Sequence, residues 1–336
     1  MACPLTKTKV QRHDSRIVWK MNFELIIATF ESVAVLLGLG LLGFWVISKK
    51  ILPSNALSFL SPLALDIALP SLVFANIIMN FRPAEFSGWW MLPLWWGGFT
   101  ILTGIMTGLF TYISRKSIRC EFAISLFFQN GLFFPLAIIT GMFGATSKYL
   151  VDLFFFMLFY PSLFFSTYHL FFREHLQKLD WTKILNRVLI ATLLATVLRL
   201  IGIHGYVPGF VVSGLKMIGD MTLPILMIIL GGNIYVDFKN KGELFVVEII
   251  KFLFIKNIIF PLVTLLLLLL IRPPYHVALM MILQSSVPPL TAVPIVVERA
   301  GRNRSIVNQF MFTSFVFSLI TIPVMMYLFG LYFPSP

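Results

Sequence analysis

Charge is what this chain lacks most. Only 12% of its 336 residues are Asp, Glu, Lys or Arg, against roughly 25% in soluble domains, and a water-soluble globular fold is excluded on that ground. Long polar segments are missing as well. The longest inside the chain, REHLQKLDWTK from Arg173 to Lys183, is a short connection with no room for an appended soluble domain. Cysteine is scarce: Cys3 and Cys120 cannot build a disulfide framework. Signatures of catalysis are missing too. No HExxH, GxSxG or P-loop occurs, and His13, His169, His175, His204 and His276 lack metal-ligand spacing. The expectation is no enzyme, no catalytic residue, no metal and no cofactor. A cleaved leader is not expected either, since the apolar run from Leu25 to Ile47 is too long for a signal peptide and has no small-residue cleavage site.

What fills the space is apolar. The chain is 58% hydrophobic, with a mean hydropathy of +0.91. A helix crosses the bilayer core with about 20 such residues, and ten windows of that kind follow one another: 22–47, 55–80, 87–113, 120–143, 149–172, 183–203, 209–236, 243–271, 275–298 and 304–332. The runs are continuous, whereas barrel strands alternate in polarity, so the fold class expected is an all-α membrane protein of ten transmembrane helices.

The net charge of +12 suggests a nucleic-acid partner only if the cations cluster, and they do not. They alternate between loops. Fourteen Lys or Arg, among them Lys49, Arg115, Lys178, Lys239 and Arg302, fall on connections of one side, and Arg82, Lys148 and Arg272 on the other. By the positive-inside rule the first side is cytoplasmic and both termini lie outside, in a cytoplasmic (plasma) membrane. The N-terminal tail, residues 1–21, dissents with five Lys or Arg before Met21, and translation starting at Met21 would remove the conflict.

The connection at 173–182 divides the spans into five (22–172) and five (183–333). Shifted by 154 residues, the halves align DIALP (Asp66 to Pro70) with DMTLP (Asp220 to Pro224), then Pro135 with Pro289 and Leu136 with Leu290. Five being odd, the second half enters from the opposite face, giving two inverted five-helix repeats. One span in each half is broken. In the fourth, Asn130 and Gly131 precede Pro135; in the ninth, Gln284, Ser285 and Ser286 precede Pro288 and Pro289. Proline removes a helical hydrogen bond and clashes with the carbonyl four residues back, and unpaired backbone survives at membrane depth only beside protein or water. Matched breaks point to a transport site whose half-helix dipoles and small polar side chains receive an anion. For one break alone, a packing kink is the blander reading.

Asp66, Asp220 and Lys256 are the ionisable residues placed deepest, and they are the candidates for coupling or gating. The rival reading for Asp220 is an ion pair with Lys216 at i−4, and Lys256 has two options, attraction of an anionic substrate or pairing with Asp66. Glu248 and Lys251, three residues apart, should neutralise one another. Two intramembrane aspartates also raise an aspartyl protease, but Leu65 stands where Tyr is needed, Met217 to Asp220 reads MIGD for GxGD, and Pro288 to Leu290 reads PPL for PAL.

Three segments resemble a known family: NGLFFPLAIITGMFG from Asn130, LPILMIILGG from Leu223, and SSVPPLTAVPIVVERAGRNRSIVNQFMFTSFVFSLITIP from Ser285 to Pro323. The chain after Met21 is similar to the auxin efflux carrier family, which includes plant auxin exporters and bacterial malate permease-type carriers. The resemblance implies broken fourth and ninth helices that cross at the substrate site, with Asn130, Pro135, Ser285, Ser286, Pro288 and Pro289 around the crossing, outward termini and a homodimer. The plant exporters' long loop between the fifth and sixth spans is missing, so their phosphorylation control does not carry over. Together these readings lead to the expectation of a secondary transporter of a small organic anion, a carboxylate, driven by H+ or Na+ or neither. The alternatives are a sodium-coupled symporter of the bile-acid type, told apart by sodium stimulation of uptake, and a ligand-sensing membrane receptor, told apart by binding without flux.

Overall fold

The computed structural model describes residues 7–84, 88–172, 186–239 and 243–334, with the backbone alone for 7–25, 237 and 238. The connection expected at 173–182 and the first residues of the N-terminal tail lie outside that description. Among the described residues all elements are helical, apart from one isolated antiparallel bridge between Gln129 and Pro289.

The first helix, α1 (Lys7–Ser48), starts well before the expected residue 22. Next come α2 (Ala56–Pro62), a π-helical turn at Leu63–Ala68 and α3 (Leu69–Asn80), then α4 (Leu92–Phe110), α5 (Arg119–Phe127), α6 (Phe133–Phe143), α7 (Lys148–Phe156) and α8 (Tyr160–Thr167). The second half runs through α9 (Arg187–Leu200), α10 (Gly209–Asp220), α11 (Thr222–Lys239) and α12 (Val246–Leu253). A second π turn at Phe254–Ile259 leads to α13 (Phe260–Ile271), α14 (Tyr275–Ser286), α15 (Val293–Arg299) and α16 (Arg304–Tyr332).

Among the described residues, seven helical stretches are long and apolar enough to cross a membrane: 26–48, 56–80, 89–113, 148–171, 209–236, 246–271 and 304–332. The other three expected spans are shorter. Helix α9 has 14 described residues, and the fourth and ninth spans are each split in two, α5 with α6 and α14 with α15.

Prolines explain where the long helices deform. Pro70 and Pro261 sit at the second residue of α3 and α13, each directly after a π turn. The wider turn makes room for a ring that would otherwise strike the carbonyl four residues back. Pro224 acts less gently: the helix is interrupted at Met221, and α11 restarts at Thr222. Both spans are therefore deformed beside their aspartates, as DIALP and DMTLP imply.

Helices α1, α3, α9, α10 and α11 form one group, and α4 to α7 with α12 to α16 form another. Helix α1 also packs on α6 and α16. In the first group α1 and α11 meet backbone to backbone. A methyl on Gly231 would lie 2.6 Å from the carbonyl carbon of Gly40, and one on Gly43 would lie 2.6 Å from Cα of Ile228. Small residues let membrane helices approach closely, and the gain is dispersion between backbones rather than hydrophobic burial. The second group is built on aromatic rings. Phe252 and Phe310 stack with centroids 4.5 Å apart, and Phe122 meets both edge-on.

Candidate functional site

Helix α5 ends at Phe127 and α6 begins at Phe133, so residues 128–132 are open chain; the corresponding gap in the ninth span is residues 287–292. The two gaps meet. The Asn130 amide donates to the Pro288 carbonyl at 2.8 Å and the Leu290 amide donates to the Phe128 carbonyl at 2.9 Å, forming the antiparallel bridge between Gln129 and Pro289. Each break thus pairs part of the backbone that the other leaves orphaned, which is how non-helical chain persists at this depth.

One part of the sequence alignment is corrected by this geometry. Pro135 and Pro289 match at a shift of 154, yet Pro135 is the third residue of α6 while Pro289 lies inside the open chain. The half-helices themselves start at Phe133 and Val293, 160 residues apart, and the proline standing at the start of α15 is Pro294. Near a helix start a proline costs little, because the first amides have no helical acceptor.

The side chains around the junction are polar, buried and incompletely bonded. Asn130 is 1% exposed, and neither its Oδ1 nor its Nδ2 has a hydrogen-bond partner. Gln284 donates from Nε2 to the Gly131 carbonyl at 2.5 Å, with its own Oε1 unpartnered. Gly131 has no room for a side chain: a methyl would lie 2.7 Å from Cδ of Gln284 and 2.8 Å from Cε of Met157. Tyr160 donates from its hydroxyl to the Gln129 carbonyl at 2.5 Å. Ser285 and Ser286 are buried here too, but both hydroxyls donate to the Ile282 carbonyl of their own helix, at 2.9 and 2.7 Å. They reach a ligand only as acceptors or after rotating. The bulky neighbour Phe134 packs edge-on against Phe315, centroids 4.9 Å apart.

The ionisable candidates lie elsewhere. Asp66 pairs with Arg187 at the start of α9, at 2.5 Å, and both side chains are about half exposed or more (47% and 64%). Asp220 pairs with Lys216 at 2.7 Å, the ion pair that the i, i+4 spacing suggests. Each aspartate is thus held by its own cation, an arrangement unlike a protease dyad in which two carboxyls share a proton. Lys256 does not pair with Asp66. It is buried within the π turn, its ammonium 5.1 Å from the centroid of the Phe260 ring. Its neighbour Asn257 accepts from the Ser314 hydroxyl at 2.8 Å. Glu248 does pair with Lys251, at 2.8 Å, and Arg115 joins them at 3.5 Å.

A cavity of about 430 Å³ lies where α1, α3, α6 and α10 converge. Its polar lining is Glu31, Ser32, Asn76, Thr140, Lys216 and Asp220, and Leu136 and Ala137 of the half-helix α6 complete one wall. This places one cation, Lys216, beside open space adjoining the half-helix that starts at the junction. Sequence reasoning missed Asn76, Gln129, Tyr160 and Asp152. Asp152 is the one that a signal would have found, being a carboxylate four residues inside an apolar span; it is fully buried, and neither oxygen has a partner. The others are ordinary polar residues whose placement depends on how the helices cross.

The described residues contain no cluster of three or more His, Cys, Asp or Glu able to hold a metal ion. A comparison with curated proteins returns no match. A family model described as Membrane transport protein matches residues 28–181 and 161–326, nearly the whole chain in two overlapping stretches. Members of that family are transporters rather than enzymes. Seven apolar helices of membrane-crossing length, a broken and buried polar junction and this match agree: the chain is a multi-pass membrane protein and belongs to the Membrane transport protein family, that of the auxin efflux carriers.

Proposed function

We propose that the protein is a secondary transporter of a small organic anion, a carboxylate, working by alternating access around the junction of the fourth and ninth spans. In this reading the chain crosses the plasma membrane ten times as two inverted sets of five, both termini outside, and acts as a homodimer. The substrate site is Asn130, Gly131, Gln284, Ser285 and Ser286 with the backbone freed near Pro135, Pro288 and Pro289.

The observation that carries it is the side-chain amide of Asn130, buried and unbonded at a point where two open segments pair. An unpaired buried amide costs about 1–3 kcal/mol, and a ligand that bonds it recovers that energy. The first turns of α6 and α15 favour negative charge at the same place. The two groups of helices meet mainly where α1 packs on α16 and α6, and movement along that surface would leave intact the junction, which lies wholly in the second group.

The test is counterflow of labelled C4 dicarboxylates, amino acids and aromatic acids by full-length protein in proteoliposomes. Asn130→Ala should lower the rate ~10-fold or more, the equivalent of one hydrogen bond to a charged group, with an unchanged melting temperature. Unaltered counterflow in that variant would remove the site. Binding without any flux would favour the receptor reading, and uptake that requires sodium would favour the symporter.

A further inference from the structure

Asp152 lies one turn into α7, below the N-cap Ser147, whose hydroxyl accepts from the Tyr149 amide. Its side chain is fully buried, and neither carboxylate oxygen is hydrogen-bonded. Helix α7 packs against α3, α4, α6 and α14 and against the turn Trp89–Met91. Helices α3, α4 and α6 and that turn contain no Asp, Glu, Lys, Arg, His, Tyr or Cys. From α14 the titratable groups are Tyr275 and His276, both at its outer end, and on α7 itself they are Lys148 and Tyr149. Lys148 stands one turn nearer the loop at 144–147; it is exposed, and its ammonium lies 5.4 Å from the centroid of the Tyr149 ring. Lys148, four residues back, acts on Asp152 through space, but neither carboxylate oxygen is hydrogen-bonded to it.

An ionised carboxylate removed from water without a donor or a counter-charge is among the most costly groups a fold can contain, and such a group takes up a proton instead. The aspartates already considered do not meet this condition, because Arg187 and Lys216 neutralise Asp66 and Asp220. Nor do the surroundings resemble a sodium site, which needs several oxygens converging on one point. A proton needs a single oxygen.

We propose that Asp152 is the proton-coupling residue of this carrier, protonated in the conformation described here and deprotonated when the movement of α7 exposes it to the opposite aqueous phase. The inference rests on the transport reading above and adds the driving ion and the residue that carries it. The balance is one proton taken up at Asp152 from the outer phase, which Lys148 borders, and one released to the cytoplasm per turnover. A monocarboxylate carried with it crosses without net charge. The second group of helices holds both Asp152 and the junction, so a proton on α7 and an anion at Asn130 would travel on the same body.

Two measurements on the full-length protein test it. Infrared difference spectra of wild type at neutral pH should contain the C=O stretch of a protonated buried carboxyl, and Asp152→Asn should delete that band while keeping the melting temperature, because Asn copies the shape of the neutral acid. A spectrum without the band, or with the band unaltered in the variant, overturns the proposal whatever the substrate proves to be. In proteoliposomes containing a pH indicator, an inward malate gradient should acidify the lumen with wild type. Asp152→Asn should abolish the acidification and the acceleration of uptake by a pH gradient while retaining malate counterflow, and Asp152→Glu should restore part of both. Equal acidification by the Asn variant overturns the coupling role. No flux of any carboxylate by either protein overturns the transport reading instead, and the infrared band then decides by itself whether Asp152 holds a proton.

Discussion

At Gly131 the site tolerates nothing larger than hydrogen. The residue sits in the open chain between α5 and α6, with its carbonyl bonded to Gln284 and the space above its Cα filled by that same side chain and by Met157. An added methyl must displace Gln284 and with it the bond that ties the ninth span to the fourth. Overpacking of this kind costs about 1–3 kcal/mol, so Gly131→Ala should lower the melting temperature of the detergent-purified protein and abolish counterflow. A fully active, equally stable variant would mean that Gln284 is free to move aside. Charge obeys the same economy of neighbours. Glu248 is buried and has two cations in direct contact, Asp66 and Asp220 have one each, and Asp152 has only the through-space influence of Lys148.

Among the elements, helix α11 is held against α1 by absence of side chains. Gly231 faces the Gly40 carbonyl too closely for a Cβ, whereas Gly108 on α4 faces open space. Gly231→Ala should therefore separate the two helices and reduce thermal stability by about 1–3 kcal/mol. Gly108→Ala should leave it unchanged or raise it by up to ~1 kcal/mol, since alanine is the better helix former. Differential scanning of the two variants in one detergent makes the comparison, and equal effects would show that the close approach between α1 and α11 is not maintained in the membrane protein. The breaks behave as a pair at this scale too. Gln129 and Pro289 face each other across two backbone hydrogen bonds, so cysteines placed at both positions in a chain lacking Cys3 and Cys120 should join on oxidation. Failure to cross-link under conditions that oxidise a neighbouring control pair would separate the two spans.

For the whole molecule, the alternation of cationic loops predicts one orientation. Cysteines introduced one at a time at Lys50, Lys116 and Arg302 should be protected from an impermeant thiol reagent in intact cells, and one at Lys148 should react. Labelling of the first three would invert the topology and place the cavity beside Glu31 and Lys216 on the cytoplasmic side. The same pattern bears on the proton route, because Lys148 marks the aqueous phase nearest to Asp152.

Composition and periodicity by themselves determined that this is a helical membrane protein, where its apolar spans lie and which two of them break. Those properties depend on local sums, on hydrophobic length against bilayer thickness and on what proline does to its own turn. DIALP and DMTLP announced the deformed turns at Leu63–Ala68 and Met221, and FFQNGLFFP and LQSSVPP announced the open segments. Only the tertiary structure decided what fills the breaks. Pro135 and Pro289 looked equivalent in the alignment and stand in different surroundings, because the register between the halves drifts by several residues: α11 and α14 are longer than α3 and α5. Whether a buried aspartate has a cation beside it depends on the packing of five elements around α7, each distant in the chain or silent in its own charge, and no spacing within KYLVDLFFF records that.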